Sequence, residues 1–182
     1  MTTIGFFGGS FDPPHFGHLR LAEWSLEAGA LDRLLIAPVY AHALDKRSAA
    51  SFEHRVAMCE LAFCKLERAE VSRIEAELGG VSRTLRTLQA LRARHPGAKF
   101  RLVIGADILE QTHRWHRFDE IASLAPPLVA GREGYSEEGV HGPPLVSIDS
   151  TTIRARLRRG EPLDDLVPSA VERYIREHGL YR

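Results

Sequence analysis

The stretch that decides the fold reads Gly8-Gly9-Ser10-Phe11-Asp12-Pro13-Pro14-His15-Phe16-Gly17-His18. It follows residues 3–7, a short apolar run that is typical of a buried strand. It precedes a segment from residue 16 to residue 28 whose apolar side chains recur at helical spacing and which Gly29 ends. The stretch is therefore the crossing from a first strand to a first helix in an α/β unit. Ligands of open parallel sheets bind at such crossings.

The residue types at this crossing suit a phosphate. Gly8 and Gly9 carry no Cβ, so the backbone can turn sharply and a ligand can approach closely. The start of the following helix offers unpaired N–H groups and a partial positive charge. His15 and His18 share a helix face, and imidazoles that are partly protonatable near pH 7 would donate hydrogen bonds to one anion. Ser10 adds a hydroxyl donor, and we therefore expect an anion site.

Two other interpretations of this stretch stay open. His15 and His18 could form part of a metal site, although no third ligand is obvious nearby. The two glycines could serve the turn alone, with both histidines at the surface. The phosphate interpretation is favoured because glycines, a hydroxyl and paired histidines converge on one predicted helix start.

Length and composition predict one globular domain over residues 1–182, with 44% hydrophobic and 26% charged residues. The formal net charge is zero, which argues against a polynucleotide partner. No apolar run approaches the length of a membrane span and no signal-peptide pattern is visible, so we expect no membrane partner. Cys59 and Cys64 do not share a helix stripe, which favours free thiols and a cytoplasmic location.

Strand-like and helical segments alternate along the rest of the chain. The strand-like runs cover residues 33–39, 69–74, 100–104, 127–132 and 145–148. Ser51 opens one helical segment, and residues 82–94 form another. Strand, helix, strand at this spacing predicts parallel pairing. We therefore predict a Rossmann-like, doubly wound α/β fold, with a parallel sheet of about five or six strands and helices on both faces.

Gly105 and Asp107 follow the most strand-like run, residues 100–104. Glycine allows a ligand to approach closely, and a carboxylate just past such a strand suits a ribose hydroxyl, because a carboxylate only accepts hydrogen bonds. The pattern is short, however, and Asp107 could equally cap a helix.

Residues 8–18, which end in His15-Phe16-Gly17-His18, resemble the (T/H)xGH signature of the nucleotidyltransferase superfamily. Residues 8–15 are most similar to those of the bacterial nicotinate-nucleotide adenylyltransferases, and the likeness covers nearly the whole chain. It implies that His15 and His18 are catalytic, holding the triphosphate and stabilising charge at the α-phosphate. The ATP-binding residues that it implies are Gly8, Gly9, Ser10, Phe11, His15, His18, Gly105, Asp107, Arg132, Ser150, Thr151 and Arg154.

A second helix start, Asp149-Ser150-Thr151-Thr152-Ile153-Arg154, resembles the superfamily pattern Ile-Ser-Ser-Thr-x-Ile-Arg. The resemblance implies that Ser150 and Thr151 bind the β- and γ-phosphates and that Arg154 adds positive charge. Asp149 stands where the family usually has Ser. It can still cap the helix, but its carboxylate would repel phosphates unless it turns away or meets Mg²⁺.

The acceptor-binding residues implied by the resemblance are Ser10, His42, Lys46, Thr84 and Trp115. The family usually reads Pro-Pro-His-Lys after its second strand, whereas this chain reads Ala41-His42-Ala43-Leu44-Asp45-Lys46, so His42 and Lys46 are either phosphate contacts or solvated loop residues. Thr84 maps to the contact with the nicotinate carboxylate, although Arg83 replaces an aromatic residue. Alternatively, Ser82 is simply the N-cap of a surface helix. Trp115 matches the tryptophan that stacks on the nicotinate ring, or is an ordinary core residue.

The reaction implied joins ATP to nicotinate mononucleotide, giving nicotinate adenine dinucleotide and pyrophosphate for NAD biosynthesis. Mg²⁺ would neutralise the polyphosphate, and no side chain is assigned to the metal. Two alternatives stay open. One is a related nucleotidyltransferase with another acceptor, such as nicotinamide mononucleotide, phosphopantetheine, or a sugar- or choline-like phosphate. The other is a nucleotide-binding sensor without turnover. The sequence leaves the oligomeric state open.

Overall fold

The computed structural model describes residues 1–42, 48–135, 138–145 and 147–182. The described strands are β1 (Thr3–Gly9), β2 (Arg33–Pro38), β3 (Ala69–Val71), β4 (Lys99–Gly105), β5 (Pro127–Arg132) and β6 (Pro144–Leu145). The described α-helices are α1 (Phe16–Ala28), α2 (Phe52–Phe63), α3 (Ile74–Leu78), α4 (Thr84–Arg94), α5 (Ala106–Leu109), α6 (Phe118–Leu124), α7 (Ser150–Arg158) and α8 (Ser169–Glu177). A short 3₁₀ helix covers Thr112–Arg114. No helix in this described part of the chain is long and apolar enough to cross a bilayer.

The strands form one sheet in the order β3-β2-β1-β4-β5-β6, and each neighbouring pair is parallel. Ile4 of β1 lies beside Arg33 of β2 on one side and Phe100 of β4 on the other. The strand order reverses at this point, so a crevice opens between the carboxyl ends of β1 and β4. The predicted doubly wound parallel sheet is confirmed.

Both faces of the sheet are buried because successive strand side chains point to opposite sides. Phe7, Ile36 and Val103 belong to one apolar layer, which α1, α2, α7 and α8 cover. Phe6 and Leu102 belong to the second layer, which α3, α4 and α6 cover. The predicted arrangement of helices on both faces is therefore confirmed, and the ends of the central strands are left for a ligand.

Several predicted element boundaries shift in the structure. The strand predicted over residues 69–74 ends at Val71, because the Ser72 hydroxyl accepts a hydrogen bond from the backbone N–H of Ile74 at 3.3 Å, where α3 begins. The helix predicted from residue 82 begins at Thr84. Ser82 instead accepts a hydrogen bond from the backbone N–H of Tyr40 at 3.0 Å. The last strand ends at Leu145, and residue 146 lies outside the described residues.

Candidate active site

A cleft of about 550 Å³ lies over the carboxyl ends of β1 and β4. This volume falls within the range of small-molecule sites, about 300–1,000 Å³. The cleft is lined by every predicted site residue that the structure describes, namely Gly8, Gly9, Ser10, Phe11, His15, His18, His42, Thr84, Gly105, Asp107, Trp115, Arg132, Ser150, Thr151 and Arg154. Lys46, the remaining predicted residue, lies outside the described residues.

The two signature histidines stack on each other at the start of α1. Their ring centroids lie 3.7 Å apart, with the planes inclined by 28°. His15 precedes the helix in an extended conformation, and its backbone N–H donates to Nδ1 of His18 at 3.2 Å. Because Nδ1 of His18 accepts this bond, a neutral His18 carries its proton on Nε2. The local backbone thus sets the tautomer in which His18 donates.

The structure corrects the expectation of partly protonated imidazoles. Burial, assisted by the charge of Arg132 and opposed by that of Asp149, lowers the pKa of His15 to about 3. Burial also places the pKa of His18 well below its usual value, with His15 and Arg132 adding to the effect. Both rings are therefore neutral near pH 7. Nδ1 of His15 is buried and has no hydrogen-bond partner among the described residues, so a ligand group would relieve an unpaired polar atom.

The absence of a Cβ at Gly17 leaves room for the ring of His15. A Cβ built at Gly17 would lie 3.0 Å from Nδ1 of His15 and 3.1 Å from its Cε1. Both distances are shorter than an ordinary van der Waals contact, so a larger residue would push the imidazole away. The glycine between the two histidines therefore allows their stacked arrangement.

The second predicted helix start packs directly against the first loop. The hydroxyl of Ser150 donates to the carbonyl oxygen of Pro13 at 3.0 Å. Arg154 donates through Nη1 to the carbonyl oxygen of Asp12 at 2.7 Å. The amino-terminal ends of α1 and α7 consequently lie side by side at the cleft. The positive ends of two helix dipoles meet there, an arrangement that attracts anions.

Asp149 caps α7, as its sequence position predicted. One carboxylate oxygen accepts from the backbone N–H of Thr152 at 2.9 Å, and the other accepts from the Thr152 hydroxyl at 2.7 Å. Burial acts to raise the pKa of Asp149, but these hydrogen bonds outweigh it and lower the pKa overall. Both oxygens are thus engaged within the helix cap.

The predicted ATP-binding residues Asp107 and Arg132 bind each other in this structure. Nη1 of Arg132 lies 2.5 Å from Oδ2 of Asp107, and its Nη2 donates to the carbonyl oxygen of Ile148 at 3.0 Å. Gly105 makes room for the carboxylate, because a Cβ there would lie 2.6 Å from Oδ1 of Asp107. The pair joins the end of β5 to the start of α5 beside the cleft.

The predicted acceptor residues line the cleft together. The Ser10 hydroxyl lies 3.3 Å from Nε2 of His42. Thr84 is the first residue of α4. Trp115 is partly buried against the core and meets Phe118 edge to face with 6.1 Å between ring centroids. Its two interpretations are therefore compatible, since it packs on the core and also lines the cleft.

Sequence reasoning assigned no site role to four residues that the structure places in or around the cleft. Glu75 is buried, lines the cleft and accepts from the Thr87 hydroxyl at 2.6 Å. Asp12, Arg55 and Tyr181 form a buried network behind Ser10. Their partners are distant in sequence, so no local pattern predicted the contacts.

Comparisons with known proteins agree with this geometry. Residues 6–156 match the cytidylyltransferase-like family. A protein of Anaeromyxobacter sp. strain K, named "Probable nicotinate-nucleotide adenylyltransferase", is 45% identical over 98% of this chain and 96% of its own length. A relative of the same name from Bacillus pumilus strain SAFR-032 is 38% identical over 100% of this chain and 99% of its own.

Solved structures share the fold. The nicotinic acid mononucleotide adenylyltransferase of Plasmodium falciparum, complexed with NaAD, superposes with a TM-score of 0.86 over 100% of this chain and 98% of its own, at 18% identity. Sequence likeness over nearly the full chain, together with two helix starts that meet at one cleft, establishes the family. The chain belongs to the cytidylyltransferase-like nucleotidyltransferases and, within them, to the nicotinate-nucleotide adenylyltransferases.

Proposed function

We propose that this enzyme transfers the adenylyl group of ATP to nicotinate mononucleotide, forming nicotinate adenine dinucleotide and pyrophosphate in NAD biosynthesis. The observation that carries the proposal is the pair of contacts from Ser150 to Pro13 and from Arg154 to Asp12. Through them the starts of α1 and α7 face one cleft, where the positive ends of both helix dipoles would attract a triphosphate. The relatives' names and the NaAD complex support the choice of substrates.

The proposed reaction is an in-line displacement at phosphorus. A phosphate oxygen of the acceptor attacks the α-phosphorus of ATP, the bond to the β-phosphate bridging oxygen breaks, and pyrophosphate leaves. No covalent enzyme intermediate is needed, so the protein contributes positioning and charge stabilisation. The Nε2–H of His18 would donate to the reacting phosphate, and the polyphosphate charge would raise the pKa of both imidazoles as it binds.

The triphosphate would lie along the ATP-binding residues predicted from the resemblance, with Gly8 and Gly9 allowing close approach of the backbone. Asp107 would contact the ribose through its Oδ1, because its Oδ2 is engaged in the ion pair with Arg132. ATP would arrive as its Mg²⁺ complex, because this ion keeps few protein ligands and binds mainly through phosphate oxygens and water. No group of three potential ligating side chains occurs among the described residues, so His15 and His18 lack a described third ligand.

The nicotinate ring would stack on the indole of Trp115, and its carboxylate would meet the start of α4 at Thr84. The acceptor phosphate would lie near Ser10 and His42, whose side chains already face each other. A cytoplasmic location is part of the proposal and is supported by two free thiols, Cys59 and Cys64.

A substrate panel tests this assignment. Purified protein is incubated with Mg²⁺ and with ATP or CTP, and each nucleotide is paired with nicotinate mononucleotide, nicotinamide mononucleotide or phosphopantetheine. Pyrophosphate release and the dinucleotide product are measured. We expect kcat/KM to be highest for ATP with nicotinate mononucleotide. A higher value for another acceptor would reassign the substrate, and nucleotide binding without pyrophosphate release from any pair would indicate a sensor.

A further inference from the structure

The buried network behind Ser10 has no role in the proposed chemistry, yet it joins three parts of the active site. We propose that Arg55, Asp12 and Tyr181 are positioning residues that hold both ends of the β2–α2 connection against the phosphate-binding loop. The described ends of this connection are residues 39–42 and 48–50. The inference rests on the proposed acceptor site, because one of these ends carries His42.

Arg55 contacts both ends of the connection and the loop at once. It lies in the first turn of α2, and only 1% of its surface is exposed. Its Nη2 donates to the carbonyl oxygen of Val39 at 2.7 Å, and its Nε donates to that of Ala50 at 3.3 Å. Its Nη1 donates to the carbonyl oxygen of Ser10 at 2.9 Å. A planar guanidinium can serve three fixed acceptors together, whereas a lysine ammonium cannot reproduce this fork.

Asp12 also holds the second end of the connection. Its carboxylate accepts from the backbone N–H of Ala49 at 2.6 Å and from that of Ala50 at 3.0 Å. Asp12 is buried, so these charge-assisted bonds are strong and costly to lose. The carbonyl oxygen of the same residue accepts from Arg154. Asp12 therefore links the connection to α7 as well as to its own loop.

Tyr181, next to the last residue of the chain, completes the network. Its hydroxyl donates to Oδ1 of Asp12 at 2.8 Å, and Oδ1 is also the atom that accepts from Ala50. Burial and the charge of Asp12 raise the pKa of Tyr181, which keeps the hydroxyl protonated as a donor. The carboxyl-terminal end of the chain thus helps to orient the carboxylate that holds the connection.

This arrangement has a specific consequence for the acceptor. Ser10 and His42 lie 3.3 Å apart through their side chains, and Arg55 holds the backbone on both sides of that contact, at Ser10 and at Val39. Weakening the carboxylate of Asp12 would loosen Ala50 and also Ala49, which lines the cleft, while the bond from Arg154 to the backbone of Asp12 would remain. We therefore expect acceptor binding to suffer more than ATP binding.

The test compares Tyr181→Phe with the matched control Tyr174→Phe. Tyr174 lies in α8, and its hydroxyl lies 3.0 Å from Nδ1 of His54, outside the residues that line the cleft. Each substitution removes one hydroxyl and its hydrogen bond. Tyr181→Phe should raise KM for nicotinate mononucleotide about tenfold and leave KM for ATP within about twofold of wild type. Tyr174→Phe should change neither KM.

Amide hydrogen exchange at Ala49 and Ala50, followed by NMR, gives a readout that needs no turnover. Both amides should exchange about tenfold faster in Tyr181→Phe than in Tyr174→Phe. If wild type does not use nicotinate mononucleotide, the substrate assignment fails and the exchange rates alone decide the network. Equal exchange in both variants would overturn the positioning role. Faster exchange in Tyr181→Phe with an unchanged KM for nicotinate mononucleotide would also overturn it, because the contact would then be purely structural.

Discussion

Arg154 of α7 donates to the backbone carbonyl oxygen of Asp12 at 2.7 Å, although the two residues are 142 positions apart in sequence. The same guanidinium donates through Nη2 to the Thr151 hydroxyl at 3.2 Å. One side chain therefore orders a hydroxyl at the start of α7 and ties that helix to the loop before α1. The proposed triphosphate site depends on this relationship, because neither helix start alone would surround a ligand.

Replacing Arg154 by Lys keeps the charge and removes the two-pronged geometry. We expect kcat/KM for ATP to fall about tenfold or more, because a lysine ammonium cannot serve both acceptors as the guanidinium does. Arg158→Lys, at the exposed end of the same helix, is the matched control and should behave as wild type. Equal kinetics for the two variants would mean that the contact with Asp12 is incidental to activity.

Gly17→Ala should separate activity from stability. Alanine favours a helix by up to about 1 kcal/mol over glycine, so the free energy of unfolding should change by no more than about that amount. The new Cβ would nevertheless meet the His15 ring at 3.0 Å and displace it from His18. We expect kcat to fall by about tenfold or more, since catalysis by positioning is sensitive to small displacements. Urea unfolding and steady-state kinetics on the same preparation measure both effects, and wild-type kcat would refute the packing argument.

The depressed pKa of His15 predicts a pH-dependent stability. Burial lowers this pKa from 6.5 to about 3, so the unfolded chain binds the proton at a higher pH than the folded chain does. The free energy of unfolding should therefore fall as the pH drops below 6.5, and this contribution should stop changing near pH 3. Within that window His15 contributes a slope of up to about 1.4 kcal/mol per pH unit.

Urea unfolding between about pH 7 and pH 5 compares wild type with His15→Asn. Asparagine does not titrate and is a good residue for a helix N-cap, so the slope should become shallower. His113→Asn, at an exposed position, is the control and should retain the wild-type slope. A slope in His15→Asn that equals that of wild type would show that His15 is not held neutral in the folded protein.

The ion pair between Asp107 and Arg132 should be energetically coupled. The two side chains are 15% and 23% exposed, so the pair is poorly screened by water. A double-mutant cycle with Asp107→Asn and Arg132→Gln should give a coupling of about 1–3 kcal/mol in the free energy of unfolding. The half-exposed pair Arg94–Glu77 is the comparison, and its coupling should stay below about 1 kcal/mol. Equal couplings for the two pairs would contradict the role given to burial.

Sequence patterns correctly located the ends of elements that neighbouring residues in the chain determine. The bounds of α1 and β5 agree with the sequence expectation, because helical periodicity ends at Gly29 and the apolar run from residue 127 ends at Arg132. The same reasoning extended β3 to Ile74, where a Ser72 hydrogen bond and the burial of Ile74 start a helix instead. A short apolar run does not by itself distinguish a strand from a helix turn.

The candidate site shows a similar division. Its glycines, histidines and hydroxyls were predictable because each stands at the start of an element that the pattern located. The neutral state of His15 was not predictable, because it depends on burial and on the charge of Arg132 from a distant strand. The network of Asp12, Arg55 and Tyr181 escaped prediction for the same reason, since its members come from the beginning, middle and end of the chain.

The most direct test of the central claim is the turnover of His18→Ala with ATP and nicotinate mononucleotide, beside His95→Ala as a control outside the cleft. His18 presents its Nε2–H because Nδ1 accepts from the backbone of His15. We predict that kcat of His18→Ala falls by about 10²–10³, as when a transition-state donor is removed, while His95→Ala keeps wild-type kcat. Equal turnover in the two variants would contradict charge stabilisation by this histidine pair.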